Sequence, residues 1–368
     1  MPAASRPPAP SRPADRPRPS ARARSRTAAR IAAALGPVLG AVLALPAPAL
    51  AVSPAMSPAE AAGDVATAGA GQRDAAQRYW TVDRMADALP VTPAGAPIPD
   101  HPNGTGRAAT GLLSTSAGDE ARLVGATRWT AASPVTDVVG KVFFTRAGRP
   151  YVCSAASVGA GAVGVVVTAG HCTFQAGRPV ENFVFVPGYA AGVRPHGTWP
   201  AQTLLTTEAW RTAAPGTPAA LAGDVGFAVL APQDGRSLGE VVGALDIAFA
   251  PVEDPAGSGD PVRPGAAEVT VLGYPAGGGE QDGEHLTWCA GPTDRDTTTT
   301  RDRSIGCAMS GGSSGGPWIT DLDPRTGSGT VTSVVSFAYE GDTSTLFGPV
   351  LGPGARAAYD AARTTPPR

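Results

Sequence analysis

The sequence predicts an all-β protein, and three observations lead to that class. Glycine and proline are abundant, with 47 and 38 of the 368 residues, so the chain must contain many turns and loops. Charged residues make up only 16%, and the helix formers glutamate and lysine are scarce. Short runs of branched and aromatic residues recur between the glycines and prolines, which is typical of the strands of a sandwich or barrel.

The first 51 residues have the organisation of a secretory signal peptide. Residues 1–30 carry eight arginines and one acid, Asp15, and an uncharged apolar stretch follows over 31–45. A small-x-small sequence at Ala49–Ala51 is a suitable cleavage site. A membrane anchor is the alternative, but the stretch is short and contains proline, so stable spanning is not expected. The pattern predicts a secreted protein without a stable membrane anchor.

Removal of this leader changes the charge balance. Basic residues fall from 29 to 21 and acidic residues from 31 to 30, so the formal net charge changes from −2 to −9. An acidic exported chain is not expected to bind nucleic acid, and the basic leader is not interpreted as a nucleic-acid arm.

Residues 52–134 are interpreted as a prosegment or a flexible N-terminal extension. They are rich in alanine, proline, glycine and polar residues, and they cannot build a core of their own. Residues 74–89 predict one amphipathic helix, with apolar residues at helical spacing at Tyr79, Val82, Met85 and Leu89. Five prolines between 90 and 102 then exclude regular structure. The extension is therefore expected to be largely irregular.

The predicted folded domain covers residues 135–368. Its strand-forming runs are 138–144, 151–155, 163–168, 182–186, 225–230, 268–272, 317–320 and 329–337. Only residues 355–362, near the C-terminal end, have a helical pattern.

Four cysteines in an exported chain indicate two disulfides, for which three pairings are possible. The cysteines fall into two local pairs, Cys153 with Cys172 and Cys289 with Cys307. Each such bond would contribute about 3 kcal/mol by closing its loop. Zinc is the alternative, but no Cys-x-x-Cys spacing supports it, so neither a metal nor another cofactor is expected.

Ser314 is the candidate nucleophile, because it lies in the glycine-rich run Met309–Pro317. Such a run is suited to a tight loop whose N–H groups point at a reacting oxygen. The N–H groups of Gly312 and Ser314 would then stabilise an oxyanion. The alternative is a flexible Gly/Ser linker.

A base and a carboxylate occur in suitable contexts elsewhere. His171 directly follows an apolar strand and precedes Cys172, so a cross-link would hold it rigidly, as a general base requires. Asp224 opens another apolar strand and is placed to accept the imidazole N–H. The alternatives are a structural histidine and a strand-capping aspartate.

With these three motifs in the order His171, Asp224, Ser314, the chain resembles the chymotrypsin-like serine proteases. It is most similar to the glutamyl-endopeptidase-like group of secreted actinobacterial proteases. Thr168–Cys172, Asp224–Leu230 and Gly312–Pro317 match the family's histidine, aspartate and serine motifs. The resemblance covers about 135–365. It implies two six-stranded antiparallel β-barrels with the triad between them and a short C-terminal helix.

Departures from the family's pattern bear on activation and specificity. Ser313 stands where family members carry the aspartate that pairs with a new N-terminal amine, so that switch cannot operate. Ala308 and Val335 stand where basic-specific and glutamate-specific members carry an aspartate and a histidine. We therefore expect a neutral primary pocket bounded by Ala308, Met309 and Ala338.

The resemblance also implies roles for the neighbouring strand. Ser336 resembles the serine that hydrogen-bonds the triad aspartate. Residues Ser336, Phe337 and Ala338 are expected to pair with the backbone of a protein or peptide substrate. The expected protein is a monomeric secreted serine endopeptidase.

Three other functions compete with this interpretation. An α/β-hydrolase nucleophile elbow would need a helix after Ser314 and a later histidine, and no histidine follows His285. A subtilisin-like order would use Asp137, His196 and Ser314 on alternating strands and helices. A protease-shaped binding or adhesion protein with latent activity is the third alternative.

Overall fold

The computed structural model describes residues 65–91, 94–96, 124–159, 161, 163–250 and 268–366. The predicted signal peptide, residues 1–51, lies outside the described residues, as does most of the proline-rich stretch after residue 91. Strands predominate, so the predicted all-β class is confirmed.

The strands, in chain order, are β1 (Val65–Thr67), β2 (Leu89–Pro90), β3 (Ala94–Ala96), β4 (Val124–Arg128), β5 (Val139–Arg146), β6 (Arg149–Val158), β7 (Gly164–Thr168), β8 (Phe174–Gln175), β9 (Arg178–Pro179), β10 (Glu181–Pro187), β11 (Trp199–Thr206), β12 (Gly226–Leu230), β13 (Asp246–Ile247), β14 (Glu268–Gly273), β15 (Thr287–Pro292), β16 (Asp294–Arg295), β17 (Arg303–Gly306), β18 (Pro317–Asp323), β19 (Ser328–Val334), β20 (Phe337–Tyr339) and β21 (Thr345–Gly348). The helices are α1 (Ala70–Tyr79), α2 (Val82–Ala86), α3 (Val135–Val138), α4 (Glu208–Thr212), α5 (Pro218–Ala222), α6 (Leu238–Val242) and α7 (Pro353–Arg363), with one 3₁₀ turn at Gly170–Cys172.

Six strands form a closed barrel in the order β11-β10-β5-β6-β7-β12, and β12 pairs back onto β11. Every pair in this ring is antiparallel. Successive side chains of a strand point to opposite faces, so Phe143 joins one apolar cluster while Val142 and Phe144 join another. Both faces of β5 are therefore buried.

The second half of the chain consists of two sheets. One has the order β13-β19-β18-β14-β15-β4, and the other has the order β16-β17-β21-β20-β3. Its apolar core includes Val271, Met309, Trp318 and Val335. A disulfide between Cys289 of β15 and Cys307, just after β17, links the two sheets. In the described residues these strands do not close into one hydrogen-bonded ring.

The N-terminal segment 65–91 is packed onto the first barrel. β1 pairs antiparallel with β11, and the side chains of Trp80 and Met85 are each only 2% exposed. The predicted helix over 74–89 is present as two helices, because the chain breaks at Trp80 and Thr81 caps α2 by accepting the Arg84 N–H. The segment has no core of its own, and it contributes side chains to the core of the barrel.

Helix α7 corresponds to the predicted C-terminal helix, and Pro353 occupies its first turn. Its small residues Ala355, Ala358 and Ala362 pack against the barrel. The short helices α3 to α6 were not expected, because four or five residues give too little periodicity to detect. Across the described ranges, we find no helix with the length and apolar character needed to cross a membrane.

Candidate active site

His171 lies in the 3₁₀ turn that follows β7. The next residue, Cys172, is joined by a disulfide to Cys153 of β6, so the turn is tied to a neighbouring strand. The His171 side chain is nearly buried, and the indole of Trp210 lies beside it, with 6.0 Å between the ring centroids. The imidazole is therefore held in a rigid, largely apolar setting.

Asp224 lies two residues before the neighbouring strand β12, whose antiparallel pairing with β7 places Gly226 opposite Thr168. This register brings the aspartate to the histidine, and His171 Nδ1 lies 2.8 Å from Asp224 Oδ2. The His171 backbone N–H donates to Oδ1 at 2.8 Å, and the Ser336 hydroxyl donates to Oδ2 at 2.6 Å. The carboxylate is fully buried, and these contacts orient the ring so that Nδ1–H faces it.

The glycine-rich run around Ser314 is a packed turn and not a flexible linker. Ser313 and Ser314 are fully buried, and the Gly316 N–H donates to the Ser313 carbonyl at 2.8 Å. Gly312 has φ +95°, and a Cβ there would lie 2.6 Å from the Tyr274 carbonyl oxygen. Gly315 has φ +80°, and a Cβ there would clash with the Thr168 hydroxyl. The glycines are needed for both conformation and space.

Ser154 of β6 connects the first barrel to this turn. Its hydroxyl donates to the Gly312 carbonyl at 2.9 Å and accepts the Tyr274 N–H at 2.9 Å. Its backbone N–H donates to the Ser314 carbonyl at 2.7 Å. The sequence interpretation missed this residue, although its position directly after Cys153 was a visible signal.

Ser314 and His171 lie on opposite sides of the junction between the two halves. The Ser314 carbonyl oxygen is 3.8 Å from Sγ of Cys172, the neighbour of His171. His171 Nε2 and Ser314 Oγ are both buried, and neither has a hydrogen-bond partner within the described residues. His171 Nε2 and Ser314 Oγ therefore do not hydrogen-bond to each other in this state. A hydrogen bond between a serine and a histidine at a catalytic site often forms only once substrate is bound.

The N–H of Gly312 is already engaged. It donates to the carbonyl oxygen of Val91 at 2.9 Å, and the Val91 N–H donates to the Val152 carbonyl at 3.1 Å. The N-terminal segment thus reaches one of the two donors that we expected to stabilise an oxyanion.

The five predicted substrate-binding residues have different surroundings. Ser336 and Phe337 lie at the site, and the Phe337 ring is buried against Phe347. Ala338 is half-buried, and Ala308 is exposed. Met309 is only 5% exposed and packs in the core of the second half, so its side chain does not form an open pocket wall.

A cavity of about 520 Å³ lies beside His171. Its lining includes Val91, His171, Trp210, Ala220 and Leu221, and it is mainly apolar. Ala308, Met309 and Ala338 are not part of this lining. Trp210 was another residue that the sequence interpretation missed.

The Gln281 side chain acts as a clamp on residues 308–310, the loop that leads into the turn around Ser314. Gln281 Nε2 donates to the Ala308 carbonyl at 2.5 Å, and the Ser310 N–H donates to Gln281 Oε1 at 2.8 Å. Ser313 donates its hydroxyl to the Ser310 carbonyl at 2.7 Å. These three hydrogen bonds hold the loop in place. They do so although Ser313 stands where related proteases carry an aspartate.

The alternative nucleophile arrangements do not fit the fold. Asp137 and His196 contact each other, with 2.9 Å between Oδ1 and Nε2, but the subtilisin-like order needs alternating strands and helices. The segment after Ser314 continues as strand β18 from Pro317, where an α/β-hydrolase needs a helix.

Asp302 is a buried carboxyl group near the site. Burial raises the pKa of Asp302 to about 7, and the negative charges of Asp296 and Asp224 act in the same direction. The Asp302 side chain should therefore be protonated in the folded protein at mildly acidic pH.

This pKa predicts a specific loss of stability with rising pH. Between about pH 4 and 7 the folded state holds a proton on Asp302 that the unfolded state does not, so the free energy of unfolding falls as pH rises through that window. The loss should be on the order of 4 kcal/mol, at about 1.4 kcal/mol for each pH unit of the window, and should level off above pH 7. Asp302→Asn should remove it, as measured by urea unfolding of both proteins at pH 5 and pH 8. An equal loss in the variant would contradict the assignment.

Comparison with known proteins supports one family. No protein-family model and no curated protein matches the chain. The crystal structure of the protease Anisep from Arthrobacter nicotinovorans is 32% identical, with a TM-score of 0.55, and the match covers 65% of this chain and 100% of that one. The thermostable serine protease AL20 from an extremophilic microorganism is 31% identical, with a TM-score of 0.53, and the match covers 63% of this chain and 100% of that one.

Both relatives are matched over their whole length. Their names describe proteases, which favours an enzyme over a binding protein of the same shape. This chain belongs to the chymotrypsin-like serine proteases, and it is a serine endopeptidase.

Proposed function

We propose that the chain is a secreted endopeptidase that uses His171, Asp224 and Ser314 as its catalytic triad. The observation that carries the proposal is the buried contact of 2.8 Å between His171 Nδ1 and a carboxylate with two further donors. A carboxylate in this position holds the neutral tautomer whose Nε2 can accept a proton, and it stabilises the imidazolium that forms.

The reaction has two steps. Ser314 Oγ attacks the carbonyl carbon of the scissile peptide bond while its proton passes to His171 Nε2. The C–N bond then breaks, the imidazolium gives that proton to the leaving amine, and an acyl-enzyme remains. Water then attacks the acyl carbon while its proton passes to His171 Nε2, and the ester bond to Ser314 Oγ breaks. The imidazolium returns that proton to Ser314 Oγ, and the acid is released.

The N–H groups of Gly312 and Ser314 are proposed to stabilise the oxyanion in both steps. Gly312 has the positive φ that such a turn requires. Its N–H is bonded to Val91 in this state, so the substrate carbonyl must replace that of Val91 before reaction.

The primary pocket is proposed to be neutral. Ala308, Met309, Val335 and Ala338 carry no charge, and apolar or small side chains at the substrate position before the scissile bond are expected to fit best. Ser336, Phe337 and Ala338 are proposed to pair with the extended substrate backbone.

Processing and location complete the proposal. Residues 1–51 are proposed to be a signal peptide, 52–134 a prosegment and 135–368 the protease domain, which acts outside the cell as a monomer. Two disulfides support an oxidising compartment. The proposed chemistry uses side chains and backbone N–H groups of the chain itself, and it calls for no metal or organic cofactor.

A peptide library tests this function. A recognition sequence for an unrelated, site-specific protease is placed within residues 101–123, so that the N-terminal piece can be cut away, and the chain is assayed before and after cutting. We expect internal cleavage after apolar or small residues, which is absent with Ser314→Ala. Cleavage only after basic or acidic residues would contradict the neutral pocket, and cleavage by Ser314→Ala would contradict the triad.

Gln281→Ala should lower kcat/KM about tenfold, because two hydrogen bonds of about 1 kcal/mol each that brace Ala308 and Ser310 are lost. Gln233→Ala is the matched control, since that side chain donates only to Thr198 of the first barrel. Steady-state kinetics on the best library peptide provide the measurement. Equal kinetics for the two variants would show that the clamp does not position the loop.

A further inference from the structure

We propose that residues 65–96 have a function of their own, as an inhibitor of the protease within the same chain. This inference rests on the proposed function, because it assigns an occupant to the substrate cleft of that same site. The inhibitory ligand is the backbone of residues 89–91 and 94–96, which follow the folded segment 65–88.

The segment is anchored outside the cleft. β1 adds to the barrel as an edge strand on β11, with Val65 opposite Leu205. Trp80 is 2% exposed, and its Nε1–H donates to the Asn182 carbonyl at 2.7 Å. Residues 65–88 therefore form a docked base, and the chain that leaves it starts from a fixed point.

The chain enters the cleft along β6. Leu89 and Pro90 pair with Tyr151 and Val152 in parallel orientation. Val91 then makes two backbone hydrogen bonds, donating to the Val152 carbonyl and accepting from the Gly312 N–H. Its side chain is 7% exposed and lines the cavity beside His171.

The chain leaves the cleft along β20. Ala94, Gly95 and Ala96 pair in parallel with Phe337, Ala338 and Tyr339. This is the edge that the substrate backbone is proposed to use, so the segment and a substrate compete for the same backbone groups.

The contacts fit an inhibitor better than a substrate. The Val91 carbonyl accepts from the N–H of Gly312, while the described contacts include none from the N–H of Ser314. His171 Nε2 and Ser314 Oγ are both buried without a partner in the described residues, so the proton relay is not assembled. The Val91 carbonyl accepts a hydrogen bond from only one of the two proposed oxyanion donors, and Ser314 is not hydrogen-bonded to His171. The carbonyl is therefore poorly placed for attack by Ser314 Oγ.

The first test is the rate at which a fluorophosphonate labels Ser314 in the intact chain. Val91→Pro removes the N–H that bonds Val152, and it should speed labelling at least tenfold. Val82→Pro is the matched control, because Val82 is 50% exposed at the first position of α2, where proline is tolerated. Equal labelling of the two variants would overturn the proposal.

A second variant and a peptide cover the case in which Val91→Pro disturbs folding, as reported by the melting temperature. Gly95→Pro acts on the β20 contact instead and should also speed labelling. A synthetic peptide of residues 89–96 should slow labelling of whichever variant is folded, and the same peptide with Val91→Pro should not. Failure of both the variants and the peptide would overturn the proposal.

Hydrogen exchange, which does not depend on protease activity, distinguishes failure of the inhibitor proposal from failure of the protease assignment. In a Ser314→Ala background, Val91→Pro should increase hydrogen exchange of the Gly312 amide, whereas Val82→Pro should not. If the protease assignment fails, no variant is labelled but this exchange difference remains. If the inhibitor proposal fails, the unmodified chain is labelled as fast as Val91→Pro. Self-cleavage at the Val91–Thr92 bond, detected by mass spectrometry, would show a substrate and also overturn it.

Discussion

Replacing Ser314 by alanine is expected to lower kcat/KM by about 10⁶, because no other hydroxyl is held at the end of the proposed relay. His171→Ala should cost a similar amount, and the double variant should be hardly worse than either one. Residues that act as a unit are not additive, and binding with the oxyanion donors leaves a residual acceleration of about 10³ over water. The kinetics are measured on the cut chain with the best library peptide.

The matched control for this prediction is Ser310→Ala. Ser310 lies four residues earlier in the same turn, and its hydroxyl has no hydrogen-bond partner within the described residues. Its removal should change kcat/KM by less than tenfold. Retention of more than a tenth of the activity by Ser314→Ala or His171→Ala would refute the assignment.

Asp224→Asn should lower kcat by about 10⁴ at neutral pH. The amide keeps the shape of the carboxylate, but its NH₂ group donates where Asp224 Oδ2 now accepts from His171 and Ser336. The ring is then held in the wrong tautomer, with a proton on Nε2. A full pH profile of kcat is the measurement.

Asp137→Asn supplies the control, since Asp137 also contacts a histidine, His196, at 2.9 Å. That pair is partly exposed, and activity should change by less than about twofold. The reverse outcome, with Asp137→Asn inactive and Asp224→Asn active, would favour the subtilisin-like set of Asp137, His196 and Ser314.

Strands whose sequences are rich in branched apolar residues were predictable, whereas β11 was not. Residues 225–230 and 268–272 read as strands in the sequence and are β12 and β14 in the structure. β11, residues Trp199–Thr206, was missed, because glutamine and threonines interrupt its apolar pattern although all eight residues are buried. Burial of Gln202 and Thr203 depends on partners far along the chain, which no local pattern reports.

The structure of the N-terminal segment 65–96 also depends on contacts that local sequence patterns do not reveal. Its composition predicted a segment without a core of its own, and in the structure Trp80 and Met85 are buried in the core of the barrel. β2 and β3 have two and three residues, and they exist only because the edges of β6 and β20 accept them. A proline-rich sequence predicts irregular structure, because proline lacks the N–H that a strand donates. The pairing of such short strands depends on partner strands that lie far away along the chain.

The candidate site was predictable where chemistry and a local motif coincide. His171 and Asp224 were identified from their strand contexts, and the structure places them in contact. Ser154, Trp210 and Gln281 were missed, since serine, tryptophan and glutamine carry no distinctive motif there. Their contacts with the site depend on the arrangement of distant strands and loops.

Mapping the site of fluorophosphonate attachment tests the central claim most directly. The cut chain is labelled, digested and analysed by tandem mass spectrometry, with His171→Ala treated in parallel. We predict one label on Ser314 Oγ in the unmodified sequence and a loss of labelling in the variant. A label on another serine such as Ser313, or labelling that does not depend on His171, would contradict the account.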